Sequence, residues 1–128
     1  MKMNRLALAF FTTGALCVLG GMIWGVVMAS SNDHGMMPAH AHLNLMGWAT
    51  LALMGTFYAL SGRQDRLGWA NYWFSTLSVV VSIPSLAMVL GGNAAAEKGA
   101  IAGSVLAILG VLTFLASITA QWRAAKAA

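Results

Sequence analysis

All three histidines of the chain fall within one short segment that also holds two adjacent methionines. The segment reads SSNDHGMMPAHAHLNLMGW, and its candidate ligands are His34, Met36, Met37, His40 and His42. Neutral imidazole is the commonest metal-ligating side chain in proteins. Thioethers add a preference for soft metals such as Cu(I). This segment is therefore the candidate site for metal chemistry.

The rest of the chain has the composition of a membrane protein, with 59% hydrophobic and 8% charged residues and a mean hydropathy of +0.76. Apolar runs occupy residues 6–28, 39–60, 71–90 and 100–122. Each is near the ~20 residues that a helix needs to cross the hydrocarbon layer. We therefore predict an all-α fold, a four-transmembrane-helix bundle forming a single integral membrane domain over residues 1–128.

The basic residues predict the orientation of this bundle. Six of the seven flank the runs on one side, namely Lys2, Arg5, Arg63, Arg66, Arg123 and Lys126, and the seventh, Lys98, lies on the other. By the positive-inside rule, both termini are cytoplasmic and the histidine segment faces outward. The net charge of +4 then reflects topology, so the lipid bilayer is the expected partner and nucleic acid is not. We expect a multi-pass protein of the bacterial inner membrane.

Small and hydroxyl residues recur at helical spacing and predict where helices meet, because helices in lipid associate through small residues and polar contacts. These residues are Gly21 and Gly25 in the first run, Asn71, Ser75, Ser78, Ser82 and Ser85 in the third, and Gly99, Gly103 and Ala107 in the fourth. We expect the serine stripe to face protein, with Ser82 or Ser85 satisfying the carbonyl that Pro84 frees. Four short helices leave some of these faces unused, which favours a homo-oligomer that Gly103→Leu would weaken.

The spacing of His40 and His42 separates their roles. Pro38 suits the first turn of a helix, which places both histidines in the first turns of the second helix. Residues two apart point about 200° away from each other on a regular helix, so the two rings of one chain cannot share one metal ion. His42 is the deeper of the two, and a polar ring at membrane depth is a functional hypothesis by default.

The stretch HLNLMGWATLALMGTFYAL, from His42 to Leu60, resembles the second helix of subunit I in the haem–copper oxidase superfamily, particularly its nitric oxide reductase branch. The shared features are a His-x-Asn-Leu opening, a following tryptophan and a Met-Gly-x-x-Tyr-like ending. The doubled HAHLN is also similar to the opening of small oxidase-subunit-I-like membrane proteins. The resemblance implies that His42 is an axial ligand of haem b near the outer membrane face, with Asn44 orienting a ligand or a propionate.

The chain also departs from that family. Subunit I has many more helices and histidines, whereas this chain has no histidine outside the segment. The catalytic metal centre is absent, and so we do not expect a self-contained reductase. A second axial ligand would come from His40 or His34 of a neighbouring copy, or from a methionine. The resemblance thus implies a haem b protein for electron transfer, haem handling or sensing, with a respiratory-chain partner.

Two alternatives remain open at the level of sequence. His34, Met36, Met37 and His40 could hold copper in or beside an outward-facing loop. The chain could also be a structural subunit of a respiratory complex without any cofactor. Asp33, Asp65 and Glu97 fall in predicted loops on different sides, so no acid–base pair for catalysis is expected within one chain.

Overall fold

The computed structural model describes residues 3–127, and these form four long helices. Their bounds are Arg5–Ser31 for α1, Met37–Ser61 for α2, Arg66–Leu90 for α3 and Glu97–Ala127 for α4, the last preceded by a 3₁₀ turn at Ala94–Ala96. Each is long and apolar enough to cross a membrane. The predicted all-α fold with four transmembrane helices is confirmed, although every helix extends beyond the apolar run that predicted it.

Polar caps fix the starts of α1 and α3. The side chain of Asn4 accepts a hydrogen bond of 2.8 Å from the backbone N–H of Ala7 at the start of α1. Asp65 does the same for Gly68 at the start of α3, at 2.9 Å. Such caps satisfy backbone donors that have no partner within the helix. At the end of α2, Gly62 takes the left-handed conformation, with a φ of 69°, that terminates many helices.

Helix α2 changes its winding directly after His42. Residues Leu43–Thr50 form a π-helix, and the hydroxyl of Thr50 donates to the carbonyl of Leu45, five residues earlier, at 2.9 Å. The π form is rare and is found frequently at functional sites. The two histidines themselves lie in the α-helical turns Met37–His42 that precede it.

Helices α1 and α2 pack through glycines that admit a neighbouring side chain. A Cβ at Gly47 of α2 would lie 2.7 Å from Cβ of Cys17, and one at Gly55 would lie 2.9 Å from Cβ of Phe10. Both distances are shorter than real carbon contacts, so only glycine permits this approach. The two helices are consequently close neighbours over most of their length.

Helices α3 and α4 pack through the serine stripe. Asn71, Ser75, Ser78 and Ser82 are buried, and Ser75, Ser82 and Ser85 contact Gly110, Gly103 and Gly99 of α4 in antiparallel order. The prediction that this stripe faces protein is confirmed. Gly103 is buried within the chain itself, where a Cβ would lie 2.8 Å from the backbone nitrogen of Ser82. Our assignment of the Gly103 face to contacts between copies was therefore wrong.

A buried polar network joins α2, α3 and α4. The hydroxyl of Tyr58 hydrogen-bonds with Ser117 Oγ at 2.9 Å and with Asn71 Oδ1 at 3.1 Å. The Asn71 amide donates to the carbonyl of Gly110 at 2.7 Å and to Ser75 Oγ at 3.2 Å.

The two ends of the bundle are named by what they contain. The terminal end comprises the start of α1, the α2–α3 connection and the end of α4. The opposite end, with the histidines, is the histidine end.

Candidate functional site

His40 lies in the contact between α2 and α1. Its ring is half-buried and meets the edge of Trp24, with the ring centroids 6.4 Å apart. A Cβ at Gly25 would lie 3.3 Å from Cε1 of His40, closer than most carbon contacts. The absence of a side chain at Gly25 therefore makes room for the imidazole.

Asn44 lies beside His40, one turn further along α2. Its amide nitrogen is 3.3 Å from Nε2 of His40 and 3.1 Å from the His40 carbonyl oxygen, to which it donates. A Cβ at Gly21 of α1 would overlap the Asn44 amide. Gly21 and Gly25, which the sequence marked as a helix-packing pair, thus accommodate Asn44 and His40. Of the predicted site residues, these two lie together.

His42 faces a different part of the bundle, as the 200° separation predicted. Its side chain is exposed, and Nδ1 lies 2.7 Å from the carbonyl oxygen of Pro38, one turn earlier. Because a carbonyl can only accept, Nδ1 donates this hydrogen bond, and in the neutral ring the lone pair is then on Nε2. The backbone therefore fixes the tautomer and holds the ring so that Nε2 is free for a ligand.

The ring of His42 lines a groove of about 260 Å³ between α2 and the α3–α4 pair. Its other lining residues are Met46 of α2, Ser82 and Leu86 of α3, and Ala100, Ser104 and Ala107 of α4. The hydroxyl of Ser104 is occupied, since it donates to the carbonyl of Ala100 at 2.9 Å. Small residues on α4 and one imidazole thus form a largely apolar groove within a predicted membrane span.

Ser82 is the exception on the groove wall. Its residue is only 9% exposed, and its hydroxyl has no hydrogen-bond partner. We expected Ser82 or Ser85 to satisfy the carbonyl that Pro84 frees, and for Ser82 this was wrong. An unpaired buried hydroxyl is costly, and this one lies against Gly103 in the α3–α4 contact.

The loop residues of the candidate site are dispersed. His34 is exposed, Met37 is 51% exposed, and Met36 is half-buried near Gly91 at the end of α3. Asp33 accepts the backbone N–H of Gly35 at 2.9 Å. Within residues 3–127, no three side chains of His, Cys, Asp or Glu are grouped so as to hold a metal ion.

Sequence reasoning missed the groove residues Met46, Leu86, Ala100 and Ser104. Ser82 and Ala107 had been noticed only for their spacing. The weak signal was a row of small residues on α4 at intervals of three and four, which marks a face but does not say which helix it meets. Only the pairing of α3 with α4 brings these residues opposite His42.

Comparison with protein-family models, with curated proteins and with solved structures finds no match for this chain. The resemblance to oxidase subunit I therefore remains a prediction from the motif that begins at His42.

Proposed function

We propose that the chain is a multi-pass membrane protein that binds haem b through Nε2 of His42. The observation that carries this proposal is the hydrogen bond from Nδ1 of His42 to the carbonyl of Pro38. A ligating histidine in a metalloprotein characteristically donates its other ring N–H to a carbonyl or carboxylate, which fixes the ring and raises the basicity of the ligating nitrogen. The motif at His42 supplies the second line of support.

The groove suits an apolar, flat cofactor in its lining but not in its size. Leu86, Ala100 and Ala107 offer apolar walls beside the imidazole. Its volume of about 260 Å³ falls below the 300–1,000 Å³ typical of small-molecule pockets. One chain would therefore cover only part of a macrocycle. A second copy would cover the rest, and so we propose a homo-oligomer with the cofactor at or near the subunit interface.

The second axial ligand is proposed to come from that neighbouring copy. Met46 lines the same groove as His42, but residues four apart on one helix are side by side, so Met46 would not supply the second ligand. His40 of the same chain lies against α1. His34 or His40 of a neighbour, or a methionine thioether, remains for this position.

Haem b would supply a one-electron redox centre or a sensing group at this place in the membrane. The chain's own residues then have defined tasks. His42 would bind and is oriented by Pro38, and the apolar walls would exclude water. We propose that both termini are cytoplasmic, which would place the groove near the outer face of a bacterial inner membrane and suit electron transfer, haem handling or sensing beside a respiratory partner.

The test is the absorption spectrum and metal content of the protein purified from haem-replete cells. We expect a Soret band, a haem b pyridine haemochrome and iron. We also expect the spectrum to survive the double change Met36→Leu and Met37→Leu, because neither side chain lines the groove. If the protein is colourless and contains copper, and if the double variant loses that copper, the bound cofactor is copper and not haem. A protein with neither metal would favour a structural subunit.

A further inference from the structure

A cavity lies at the terminal end of the described chain, away from the histidines. It has a volume of about 480 Å³ between the start of α1, the α2–α3 connection and the first turn of α3. Its lining residues are Met3, Asn4, Arg5, Gln64 and Trp69. All of them lie at or beside the ends of membrane-spanning helices, which is the level of lipid headgroups.

The charge of this cavity is not balanced by the protein. Arg5 is exposed, and within residues 3–127 the one ion pair joins Arg63 to Asp65. The carboxylate of Asp65 is further engaged by the backbone N–H of Gly68. Among residues 3–127, no acidic residue lines the cavity, so the guanidinium of Arg5 is available to an anion from outside the described chain.

The walls of the cavity are fixed by Asn4. Its amide nitrogen donates to the carbonyl oxygens of Tyr58 at 2.8 Å and Arg63 at 3.1 Å, while its side-chain oxygen caps α1. These bonds tie the residue before Arg5 to the end of α2 and to the α2–α3 connection. Arg5 and Gln64, which are the chain neighbours of Asn4 and Arg63, are thereby brought to the same cavity.

The donors around the opening define the chemistry of the ligand. A guanidinium binds phosphate with several hydrogen bonds, the Gln64 amide can donate to a phosphoryl oxygen, and an indole N–H such as that of Trp69 can only donate. A headgroup that carries a free ammonium would meet the guanidinium of Arg5 and no carboxylate among the lining residues. The exposed side chain of Met3, at 40%, together with the indole ring, offers apolar surface for the first part of an acyl chain.

We propose that this cavity is a binding site for the phosphate group of an anionic phospholipid. This site is separate from the His42 groove and does not depend on any cofactor. It would anchor α1 and the α2–α3 connection to one leaflet, since basic pockets between transmembrane helices on the cytoplasmic side commonly bind anionic headgroups.

The test is lipid binding to the full chain, delipidated in neutral detergent, followed by native mass spectrometry. The probes are phosphatidylglycerol, phosphatidylcholine and inorganic phosphate. Arg5→Gln removes the charge that lines the cavity, and Arg66→Gln removes an equal charge at the same end of the bundle but outside the cavity. Trp69→Phe keeps the ring and removes the N–H donor, which provides a second variant should Arg5→Gln disturb folding.

We expect phosphatidylglycerol to bind, and Arg5→Gln to weaken it by at least about fivefold, with a smaller loss in Trp69→Phe and little change in Arg66→Gln. Phosphatidylcholine and inorganic phosphate should bind much more weakly. Equal losses in Arg5→Gln and Arg66→Gln would show a diffuse charge effect and overturn the site. Equal binding of phosphatidylcholine would overturn the anion preference, and equal binding of inorganic phosphate would overturn the assignment to lipid.

Discussion

Nδ1 of His42 lies 2.7 Å from the carbonyl oxygen of Pro38, so the first turn of α2 orients the side chain that lines the groove. Pro38 belongs to that first turn, where its missing N–H costs nothing because the helix has no acceptor for it. The same short motif therefore begins the helix and positions the imidazole.

The orientation of the bundle should place both ends of the chain in the cytoplasm. Of the Lys and Arg residues within 3–127, five lie at the terminal end, namely Arg5, Arg63, Arg66, Arg123 and Lys126, and Lys98 lies at the other end. The positive-inside rule assigns the terminal end to the cytoplasm. A reporter that works only in the cytoplasm should be active when it is fused to the C terminus. A tag inserted at the exposed turn near Asn93 should be labelled from outside. The reverse labelling would place the His42 groove near the inner face.

The α1–α2 contact should depend on Gly21 and not on its neighbour Gly20. A Cβ at Gly21 would overlap the Asn44 amide, whereas nothing lies within 4 Å of a Cβ at Gly20. We expect Gly21→Leu to lower the free energy of unfolding by about 1–3 kcal/mol relative to Gly20→Leu, the range typical of overpacking. Thermal unfolding in detergent measures this difference. Equal midpoints for the two variants would mean that Asn44 does not pack against α1 as described.

The α3–α4 contact should be internal to each chain. A Cβ at Gly103 would approach the backbone nitrogen and Cα of Ser82 to 2.8 and 2.9 Å, and backbone atoms cannot move aside cheaply. Gly103→Leu should therefore lower the unfolding midpoint, while Ala102→Leu, on the exposed face next to it, should not.

The mass of the folded Gly103→Leu protein in detergent should equal that of the unchanged protein. Size-exclusion chromatography with light scattering measures it. A smaller mass with an unchanged unfolding midpoint would show that Gly103 lies at an interface between copies, as the sequence alone suggests.

The sequence was sufficient for those features that depend on composition and local spacing. The four spans follow from the length of the apolar runs, and the divergence of His40 from His42 follows from the helical repeat. The ends of the helices were predicted less well, because hydropathy does not register caps such as Asn4 and Asp65. The helix α4 also continues to Ala127 through an alanine-rich end, and alanine is the best helix former.

Features that depend on long-range pairing were not predictable. Nothing in LNLMGWAT indicates hydrogen bonds to the fifth residue, so the π-helix after His42 was missed. The small residues at helical spacing that include Gly25 and Gly103 predicted close contacts between helices. They did not indicate which helix each of them contacts. The neighbours of His40 and of His42 became known only when those pairings were known.

The most direct test of the haem proposal is the Soret absorbance of purified His42→Gly, measured with and without added imidazole. The exposed position of His42 should let the variant fold, and the free imidazole can occupy the space that the side chain leaves. Leu45→Ala, which truncates a side chain 64% exposed on the same helix, is the matched control and should keep its absorbance. We predict that His42→Gly loses its Soret band and regains it with imidazole. Full absorbance in His42→Gly without imidazole would contradict ligation by His42.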